Sequence, residues 1–329
     1  MADILIYGAG AIGSFLGYLL SQAPPEAGGK IENMALLGRE GHIRAIKESG
    51  LLIDLAGERK LVHFRHCFEN LDDLNGSDFY PQMVIICVKT YSLPALCREL
   101  AHSGLLQGRL KDAVFLLLMN GMGNREAFAP LHLPGSRLLE GITAIGVKLS
   151  GDGRIELKGK GKTMIEARLD ERMQKFLGER LAEKGFEMEF PADFAAQQWN
   201  KLFINCVINP ITALTRQENG IVLSLPLQET VQSIIGEAVG VAAEEGIAAD
   251  ERKVLDIVSS VAGKTAGNTS SMLQDVLKGR MTEIDSINGY IIAQAKKHDL
   301  KVPVNEALLA LVKSASSGKN RHEAEVASH

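Results

Sequence analysis

The strongest constraint on this chain lies in its first twenty residues, where a short apolar run leads directly into closely spaced glycines. The run ILIY (residues 4–7) is followed by GAGAIG (residues 8–13), and a second apolar stretch with helical spacing comes next. A buried strand, a tight glycine turn and a helix occur in this order in proteins that bind dinucleotides. The order therefore predicts a βαβ unit with a phosphate site at its turn.

Each glycine of this segment has a physical role in such a turn. Gly8 allows the tight turn, Gly10 lets the backbone approach a pyrophosphate, and Gly13 lets the helix pack on the strand. The helix N-terminus offers amide donors and a positive dipole end. The predicted cofactor-binding residues of this segment are Gly8, Ala9, Gly10, Ala11, Ile12 and Gly13. A glycine-rich turn without a ligand is the alternative.

Short apolar runs then alternate with helical stretches along the first half of the chain. Runs with the length of buried strands occur at residues 34–37, 83–88 and 113–119. Because strand, helix and strand repeat in this order, the pattern implies a parallel sheet with right-handed crossovers. Short edge strands are expected within residues 154–167.

The pattern changes near Pro191, after which only helical periodicity remains. We therefore predict an α/β domain over residues 1–190 and an all-α domain over residues 191–317. The polar residues 318–329 predict a disordered tail.

Composition excludes several other classes of protein. The chain has 329 residues, of which 46% are hydrophobic and 23% charged, and its net charge is −4. These values are ordinary for a soluble globular protein and predict no nucleic-acid partner. No apolar run approaches the ~18 residues of a membrane span, so no membrane partner is expected. The four cysteines lack metal-ligand spacing, which predicts free thiols, no metal site and a cytoplasmic location.

The end of the second predicted strand bears on which dinucleotide binds. An acidic residue there favours NAD by binding the ribose 2′-hydroxyl, whereas a basic one accommodates the 2′-phosphate of NADP. Arg39 lies at this position and offers a planar fork for phosphate, although Glu40 is adjacent. We predict NADPH as the cofactor. A solvated loop arginine is the alternative.

Two further loops follow predicted strands of the sheet. Lys89 lies in the segment VKT, and Asn120 lies in the segment NGMG. Ligands bind at the carboxyl ends of parallel strands, so Lys89 is a candidate for a phosphate or carboxylate and Asn120 for cofactor and substrate together. Each is otherwise an ordinary loop residue.

A helical stretch over residues 199–210 reads WNKLFINCVINP and is apolar on most sides. Lys201, Asn205 and Asn209 recur at every fourth position and so share one stripe, at about 6 Å per step. Pro210 adds a kink. A buried lysine and two buried amides need hydrogen-bond partners, or they cost about 2 kcal/mol or more. A ligand with oxygen atoms, such as a keto acid, would supply them; an internal polar network or a lysine reaching solvent are alternatives.

A second polar cluster begins with TSSMLQD and continues to TEID. Ser271 and Asp275 share a helix face, and the double serine Ser270-Ser271 either caps the helix or presents a hydroxyl to a carboxylate. Glu283 opens the next predicted helix, where a first-turn carboxylate is also favourable.

At these residues the chain resembles the ketopantoate reductases (2-dehydropantoate 2-reductases), over nearly its whole length. The resemblance rests on the N-terminal GxGxxG, the VKT and NGMG loops, and the long motifs WNKLFINCVINPITAL, SSMLQD and TEIDSINGYI. It implies an N-terminal Rossmann domain and an all-α domain like the C-terminal domain of 6-phosphogluconate dehydrogenase. It also implies NADPH-dependent reduction of 2-dehydropantoate to (R)-pantoate, on the route to pantothenate and coenzyme A.

Carried over motif by motif, the resemblance makes Lys201 the catalytic acid and Glu283 the residue that orients the substrate or the lysine. The residues that would bind substrate are Asn205, Asn209 and Ser271, together with Asn120. Those that would serve the cofactor are Lys89, Asn120 and Glu283. A homodimer is compatible with the resemblance, and the sequence leaves the oligomeric state open.

Two other functions remain open at this point. A related NAD(P)H-dependent reductase of another branched 2-keto acid would share the glycine motif and the lysine. A dinucleotide-binding regulator without catalysis would tolerate the loss of Lys201 or Glu283, and both are present. The sequence therefore favours an enzyme.

Overall fold

A computed structural model describes residues 2–22 and 29–326 of the chain. The chain divides into two compact units. The first comprises Met1–Met119 and Asn124–Phe194, and the second comprises Asn120–Gly123 and Ala195–His329. The division after Phe194 lies close to the predicted boundary at residue 190, while the NGMG segment groups with the second unit.

The first unit is built on an eight-stranded sheet. In chain order its strands are β1 (Ile4–Tyr7), β2 (Ile31–Leu37), β5 (Phe64–Phe68), β6 (Met83–Ile86), β7 (Val114–Leu117), β8 (Leu138–Thr143), β11 (Thr163–Ile165) and β12 (Met188–Glu189). Their spatial order is β12-β11-β8-β7-β6-β1-β2-β5. The six neighbouring strands β8, β7, β6, β1, β2 and β5 are all parallel. Strand β11 pairs antiparallel with β8.

Burial of the central strand explains why its sequence is apolar without alternation. Every residue of β1 is buried, because β2 and β6 flank it and helices cover the two faces of a doubly wound sheet. The helices of this unit are α1 (Ala11–Leu20), α2 (Glu40–Ser49), α3 (Leu71–Asn75), α4 (Leu93–His102) and α5 (Glu171–Glu183). Two apolar clusters, one containing Ile4 and Ile6 and the other Leu5 and Tyr7, form the core.

A second sheet of four strands was not predicted, apart from a strand near residue 154, and that strand lies inside the sheet and not at an edge as expected. It contains β3 (Leu51–Leu55), β4 (Glu58–Val62), β9 (Gly146–Gly151) and β10 (Arg154–Gly159), in the order β4-β3-β10-β9. A local signal for β3 and β4 exists, because Ala56 and Gly57 both have positive φ and form the two-residue turn of a hairpin. The parallel pairing of β3 with β10 joins segments about a hundred residues apart, so no local pattern announces it.

The second unit contains helices and 3₁₀ turns. Its helices are α6 (Phe194–Thr215), α7 (Gln228–Glu244), α8 (Glu251–Lys264), α9 (Ser271–Leu277), α10 (Asn288–Lys297) and α11 (Pro303–Val326). No strand occurs between residue 190 and residue 326, the last residue that the structure describes. One apolar cluster, which includes Trp199, Phe203 and Ile235, forms the core of this unit. The fold thus has the predicted α/β and all-α parts.

The last helix differs from the sequence-based prediction. The structure continues α11 to Val326, so the backbone of residues 318–326 is helical where a disordered tail was predicted. This polar segment has little helical periodicity, so its sequence does not predict a helix. A helix that has already begun can still add residues, because no new nucleus has to form. Residues 327–329 of the predicted tail lie outside the described residues.

The four cysteines are free thiols, as predicted. Burial raises the pKa of Cys67 and Cys97 to about 11, so these thiols stay protonated at neutral pH. Within residues 2–22 and 29–326, no helix is long and apolar enough to cross a membrane. In the same ranges no three His, Cys, Asp or Glu side chains lie close enough together to hold a metal ion.

Pro210 lies inside α6, and a side chain from another helix compensates for the hydrogen bond it removes. Without a backbone N–H, Pro210 cannot donate to the carbonyl of Cys206, four residues earlier. The buried Asn288 donates from Nδ2 to this carbonyl at 3.0 Å, and also to Oδ1 of Asn305 at 2.9 Å. The helix therefore continues through the proline to Thr215 without leaving a buried carbonyl unsatisfied.

We expect Asn288→Ala to lower the free energy of unfolding by about 1–3 kcal/mol, since it leaves a buried carbonyl without a donor. The loss should be smaller by about 1 kcal/mol in a Pro210→Ala background, because residue 210 then supplies the missing N–H. Urea unfolding of the four proteins of this cycle gives the coupling. Strictly additive effects of the two substitutions would contradict the compensation, because the Asn305 contact is lost equally in both backgrounds.

Candidate active site

The glycine-rich segment of the first unit forms a tight loop between β1 and α1. The backbone amides of Gly8 and Ala9 both donate to the carbonyl of Leu37 at 2.9 Å, which ties the loop to the end of β2. The amide of Gly10 donates to the carbonyl of Gly8 at 2.7 Å. The loop thus has one well-defined path at the carboxyl edge of the sheet.

The glycines of this loop are required by its geometry. Gly8 has a φ of +102°, and a Cβ there would lie 2.7 Å from the carbonyl carbon of Cys87. A Cβ on Gly13 would lie 2.2 Å from the carbonyl oxygen of Gly8, because the helix passes this close to the turn. Any side chain at either position would therefore displace the backbone.

The backbone at Gly10 and the start of α1 leave room and hydrogen-bond donors for an anion. A Cβ on Gly10 would have no neighbour nearer than 4.0 Å, so the backbone is open to a ligand on this side. No described side chain caps the N-terminus of α1, and its first turn contains no acidic residue. Amide donors and the positive end of the helix dipole are thereby left for an anion. These residues fit the pyrophosphate of a dinucleotide.

Arg39 and Lys89 occupy the predicted edge of the sheet in the first unit. Arg39 is the N-cap residue of α2, is exposed, and follows the end of β2 by two residues. Glu40, the acidic neighbour that made the cofactor prediction ambiguous, forms an ion pair with Arg44. Lys89 is half-buried and precedes a 3₁₀ turn after β6.

The polar stripe predicted in the second unit lies on α6. Lys201 and Asn205 are half-buried and Asn209 is buried, with 6% of its surface exposed. Within the described part of the chain, the side-chain amides of Asn205 and Asn209 have no hydrogen-bond partner. Such amides favour a ligand over the internal polar network that was the alternative.

The surroundings of Lys201 shift the pKa of its ammonium. Burial lowers the pKa of its ammonium to about 8, while the negative charge of Glu283 acts in the opposite direction. Glu283 itself is buried, with 5% of its surface exposed. A lysine that titrates near neutral pH can release a proton to a developing oxyanion more readily than an ordinary one.

Asn120 meets Glu283 within the second unit, although they are 163 residues apart in sequence. Its side-chain nitrogen Nδ2 donates to Oε2 of Glu283 at 3.2 Å. The backbone amide of Met122 donates to the carbonyl of Ser286 at 2.8 Å, which holds the NGMG segment against the turn after Glu283. Three predicted residues, Asn120, Lys201 and Glu283, are thereby brought together.

Of the two serines predicted to cap a helix, Ser270 is the N-cap residue of α9. The hydroxyl of Ser270 accepts from the amide of Leu273 at 3.0 Å and lies 2.7 Å from Oγ1 of Thr212 on α6. Thr212 also donates to the carbonyl of Asn209 at 3.0 Å. Ser271, the first residue of α9, is exposed and takes no part in the cap. The sequence-based reasoning missed Thr212, although its place one turn after Asn209 on an apolar helix is a signal.

The structure thus gathers the predicted residues into two groups, one in each unit. The first unit holds the loop at residues 8–13 together with Arg39 and Lys89. The second unit holds an ammonium, a buried carboxylate and amides with free hydrogen-bonding capacity. This set can polarise a carbonyl, donate a proton and bind oxygen atoms of a small acid.

Comparisons with known proteins identify the family that the chain matches. Residues 4–169 match the family described as Ketopantoate reductase PanE/ApbA, and residues 193–316 match Ketopantoate reductase PanE/ApbA C terminal. The chain is 32% identical to a 2-dehydropantoate 2-reductase of Pyrococcus horikoshii, over 95% of this chain and 97% of that protein.

Solved structures have the same architecture. A D-mandelate dehydrogenase solved with NADH and anilino(oxo)acetate is 25% identical, with a TM-score of 0.82 over 97% of this chain and 99% of that one. A PanE/ApbA family ketopantoate reductase from Ralstonia eutropha JMP134 is 24% identical, with a TM-score of 0.82 over the same shares. The predicted fold class, a Rossmann domain followed by an all-α domain, is confirmed. The chain belongs to the ketopantoate reductase family.

Proposed function

We propose that this protein reduces 2-dehydropantoate to (R)-pantoate with NADPH, as a step toward pantothenate and coenzyme A. The observation that carries the proposal is the ammonium of Lys201 beside the buried Glu283, on a helix whose next two polar residues carry unpartnered amides. The name of the Pyrococcus horikoshii relative supports the choice of substrate.

Reduction of a ketone places negative charge on its oxygen, and a bound nicotinamide would supply the hydride. Lys201 polarises the carbonyl and gives its proton to the oxygen. A lysine pKa lowered to about 8 by burial makes this transfer easier while most of the side chain stays charged at neutral pH. Glu283 keeps the lysine protonated, and Asn120 holds one oxygen of Glu283 in place.

The remaining polar residues bind and orient the substrate. The amides of Asn205 and Asn209 lie one and two turns along α6 from Lys201, about 6 and 12 Å away along the helix axis. The hydroxyl and carboxylate oxygens of a small branched acid can accept hydrogen bonds from such donors. Ser271 adds an exposed hydroxyl at the start of α9, which the Ser270–Thr212 contact holds beside the end of α6.

Most of the residues assigned to the cofactor belong to the first unit. There the loop at residues 8–13 takes the pyrophosphate, and Lys89 serves the rest of the cofactor. Asn120 and Glu283, which belong to the second unit, are also assigned to the cofactor on the strength of the family resemblance. Arg39 is the group for the 2′-phosphate, since the neighbouring Glu40 is engaged by Arg44. This is the reason for choosing NADPH over NADH.

A second candidate is reduction of a different 2-keto acid with NADH. The likeness to a D-mandelate dehydrogenase solved with NADH and anilino(oxo)acetate favours it as the alternative. The free thiols agree with a reducing, cytoplasmic location, and a homodimer remains a proposal that sedimentation equilibrium would test.

A steady-state assay with 2-dehydropantoate and other 2-keto acids, each with NADPH and NADH, tests these functions. We expect the highest kcat/KM with 2-dehydropantoate and NADPH. Lys201→Ala should reduce turnover by roughly 10²–10⁴-fold without a large change in NADPH affinity. A preference for another keto acid would select the second candidate, and nucleotide binding without turnover of any of them would indicate a regulator.

The rate of reduction should fall as pH rises through about 8, because only the ammonium form of Lys201 can donate a proton. Glu283→Gln removes the charge that opposes the effect of burial, so this fall should move to lower pH. The measurement is kcat against pH. Lys184→Arg is the matched control, since burial also lowers the pKa of Lys184 to about 8 and this change should leave the profile unaltered. A profile that shifts in Lys184→Arg instead would contradict the assignment.

Asn205→Ala and Asn209→Ala should raise the KM for 2-dehydropantoate while NADPH affinity stays the same. Loss of one hydrogen bond to a charged ligand corresponds to on the order of tenfold. Asn200→Ala, which removes a half-buried amide of the same helix outside the stripe, serves as the control. If either stripe variant loses thermal stability and keeps normal kinetics, its amide has a structural role.

Arg39→Ala should raise the KM for NADPH by on the order of ten- to a hundredfold and leave the KM for NADH nearly unchanged. The reason is that a guanidinium contact with the 2′-phosphate exists for only one of the two cofactors. Arg44→Ala, which removes an exposed arginine of the same helix, is the control. Equal losses with both cofactors would exclude Arg39 as the group that recognises the phosphate.

A further inference from the structure

A buried histidine of the first unit is connected to the glycine-rich loop, and the function proposed above makes no use of it. His42, in the first turn of α2, has 2% of its surface exposed. Its Nδ1 accepts from the backbone amide of Gly153 at 3.0 Å, and its Nε2 lies 3.0 Å from Oγ of Ser14, which is fully buried on α1.

The contacts of this imidazole determine where its proton lies. The amide of Gly153 can only donate, so Nδ1 of His42 must be the acceptor. The hydroxyl of Ser14 has a single proton, and it donates to the carbonyl of Ala9 at 3.2 Å. Nε2 therefore carries the proton and donates to Ser14. Only the neutral imidazole satisfies all three contacts.

This chain of hydrogen bonds ends in the loop that is assigned to the pyrophosphate. Ala9 belongs to the loop, and its amide is held by the carbonyl of Leu37 at 2.9 Å. The packing is tight on this side, since a Cβ on Gly38 would lie 3.2 Å from the Ala9 nitrogen. The carbonyl of Ala9 thus has one position, which depends on Ser14 and through it on His42.

The same imidazole also bears on the group assigned to the 2′-phosphate. His42 follows Arg39 by three residues, in the first turn of the helix that Arg39 caps. Its other partner, Gly153, lies in the turn between β9 and β10, next to Asp152. One buried side chain therefore links the glycine-rich loop, the start of α2 and this turn.

We propose that His42 is a positioning residue for dinucleotide binding, holding the glycine-rich loop through Ser14 and the β9–β10 turn through Gly153 only while its imidazole is neutral. The proposal rests on the proposed function in one respect, the assignment of the dinucleotide to the loop at residues 8–13. It assigns to His42 no part in the chemical step.

The charges around His42 determine at which pH the contacts are lost. Burial lowers the pKa of the imidazole, the nearby Arg39 lowers it further, and Asp152 acts in the opposite direction. The group is therefore neutral at pH 7 and becomes charged only in acid. Protonation places an N–H of His42 against the N–H of Gly153, so the ring is repelled from this turn and its Nε2–H no longer lies at the hydroxyl of Ser14. Dinucleotide affinity should consequently fall as pH decreases below the pKa of His42.

The test is calorimetric titration with NADP⁺ and with NAD⁺, without substrate, from about pH 8 to about pH 5. The wild-type Kd should rise by up to about tenfold per pH unit below the pKa of His42. The 2′-phosphate of NADP⁺ also titrates near pH 6. NAD⁺ and the comparison between wild type and variants separate that effect from the histidine.

Two substitutions divide the contacts of His42. His42→Asn keeps an acceptor at the position of Nδ1, and His42→Gln keeps a donor at the position of Nε2, but neither residue titrates. We expect both to bind about two- to tenfold more weakly at pH 8 and to lose the acid-dependent part of the wild-type profile. Ser14→Ala keeps the histidine and removes the connection, so it should also flatten the profile.

His66→Gln is the matched control. Burial lowers the pKa of His66 as well, but this residue packs on Phe79 and pairs with Asp78, outside the chain of contacts. Its variant should keep the wild-type dependence of Kd on pH. Thermal melts at each pH establish that every protein compared is folded.

Each outcome decides the proposal. A profile that His42→Asn and His42→Gln share with wild type would overturn it, and so would an affinity that rises in acid, because the imidazole would then act as a positive charge. Absence of nucleotide binding at any pH would overturn both this proposal and the proposed function. Normal pH-dependent binding without turnover of 2-dehydropantoate would remove the proposed function alone.

Discussion

The burial of one positive charge beside one negative charge organises the second unit. An ammonium taken out of water is costly unless a counter-charge and hydrogen bonds accompany it. Glu283 provides the charge for Lys201, and Asn120 satisfies one oxygen of Glu283. The remaining effect of burial lowers the pKa of the lysine to about 8. The burial that costs free energy on folding also lowers the pKa of Lys201, and this lowered pKa suits a proton donor. Shifted pKa values of this kind are typical of functional sites.

Helix α6 gives this charge its fixed surroundings. It presents Lys201, Asn205 and Asn209 on one face because their spacing matches the helical repeat. The helix continues through an internal proline because Asn288 donates to the carbonyl that Pro210 leaves without a partner. A site built on a buried helix is held more rigidly than one built on a loop, and this benefits a reaction that depends on the placement of a donor.

The first unit has a different constraint, which is the close packing of backbone in its glycine-rich loop. A side chain at Gly8 or Gly13 would collide with neighbouring backbone, so only glycine fits at these positions. A loop of this kind is short of side-chain contacts of its own. The buried side chains of Ser14 on α1 and His42 on α2 supply such contacts. They hold the carbonyl of Ala9 and leave the backbone at Gly10 open.

Short-range patterns in the sequence specify the main elements and much of the candidate site, because strands, helices and the GxGxxG turn depend on residues close together in the chain. The four-residue spacing of Lys201, Asn205 and Asn209 likewise puts them on one helix face through the helical repeat alone. Tertiary packing was needed to pair Asn120 with Glu283 and His42 with Gly153, and to assemble β3 with β10. The members of each pair lie far apart in the chain. Contacts between them depend on how the sheets and helices pack, and such packing produces no periodic pattern in the sequence.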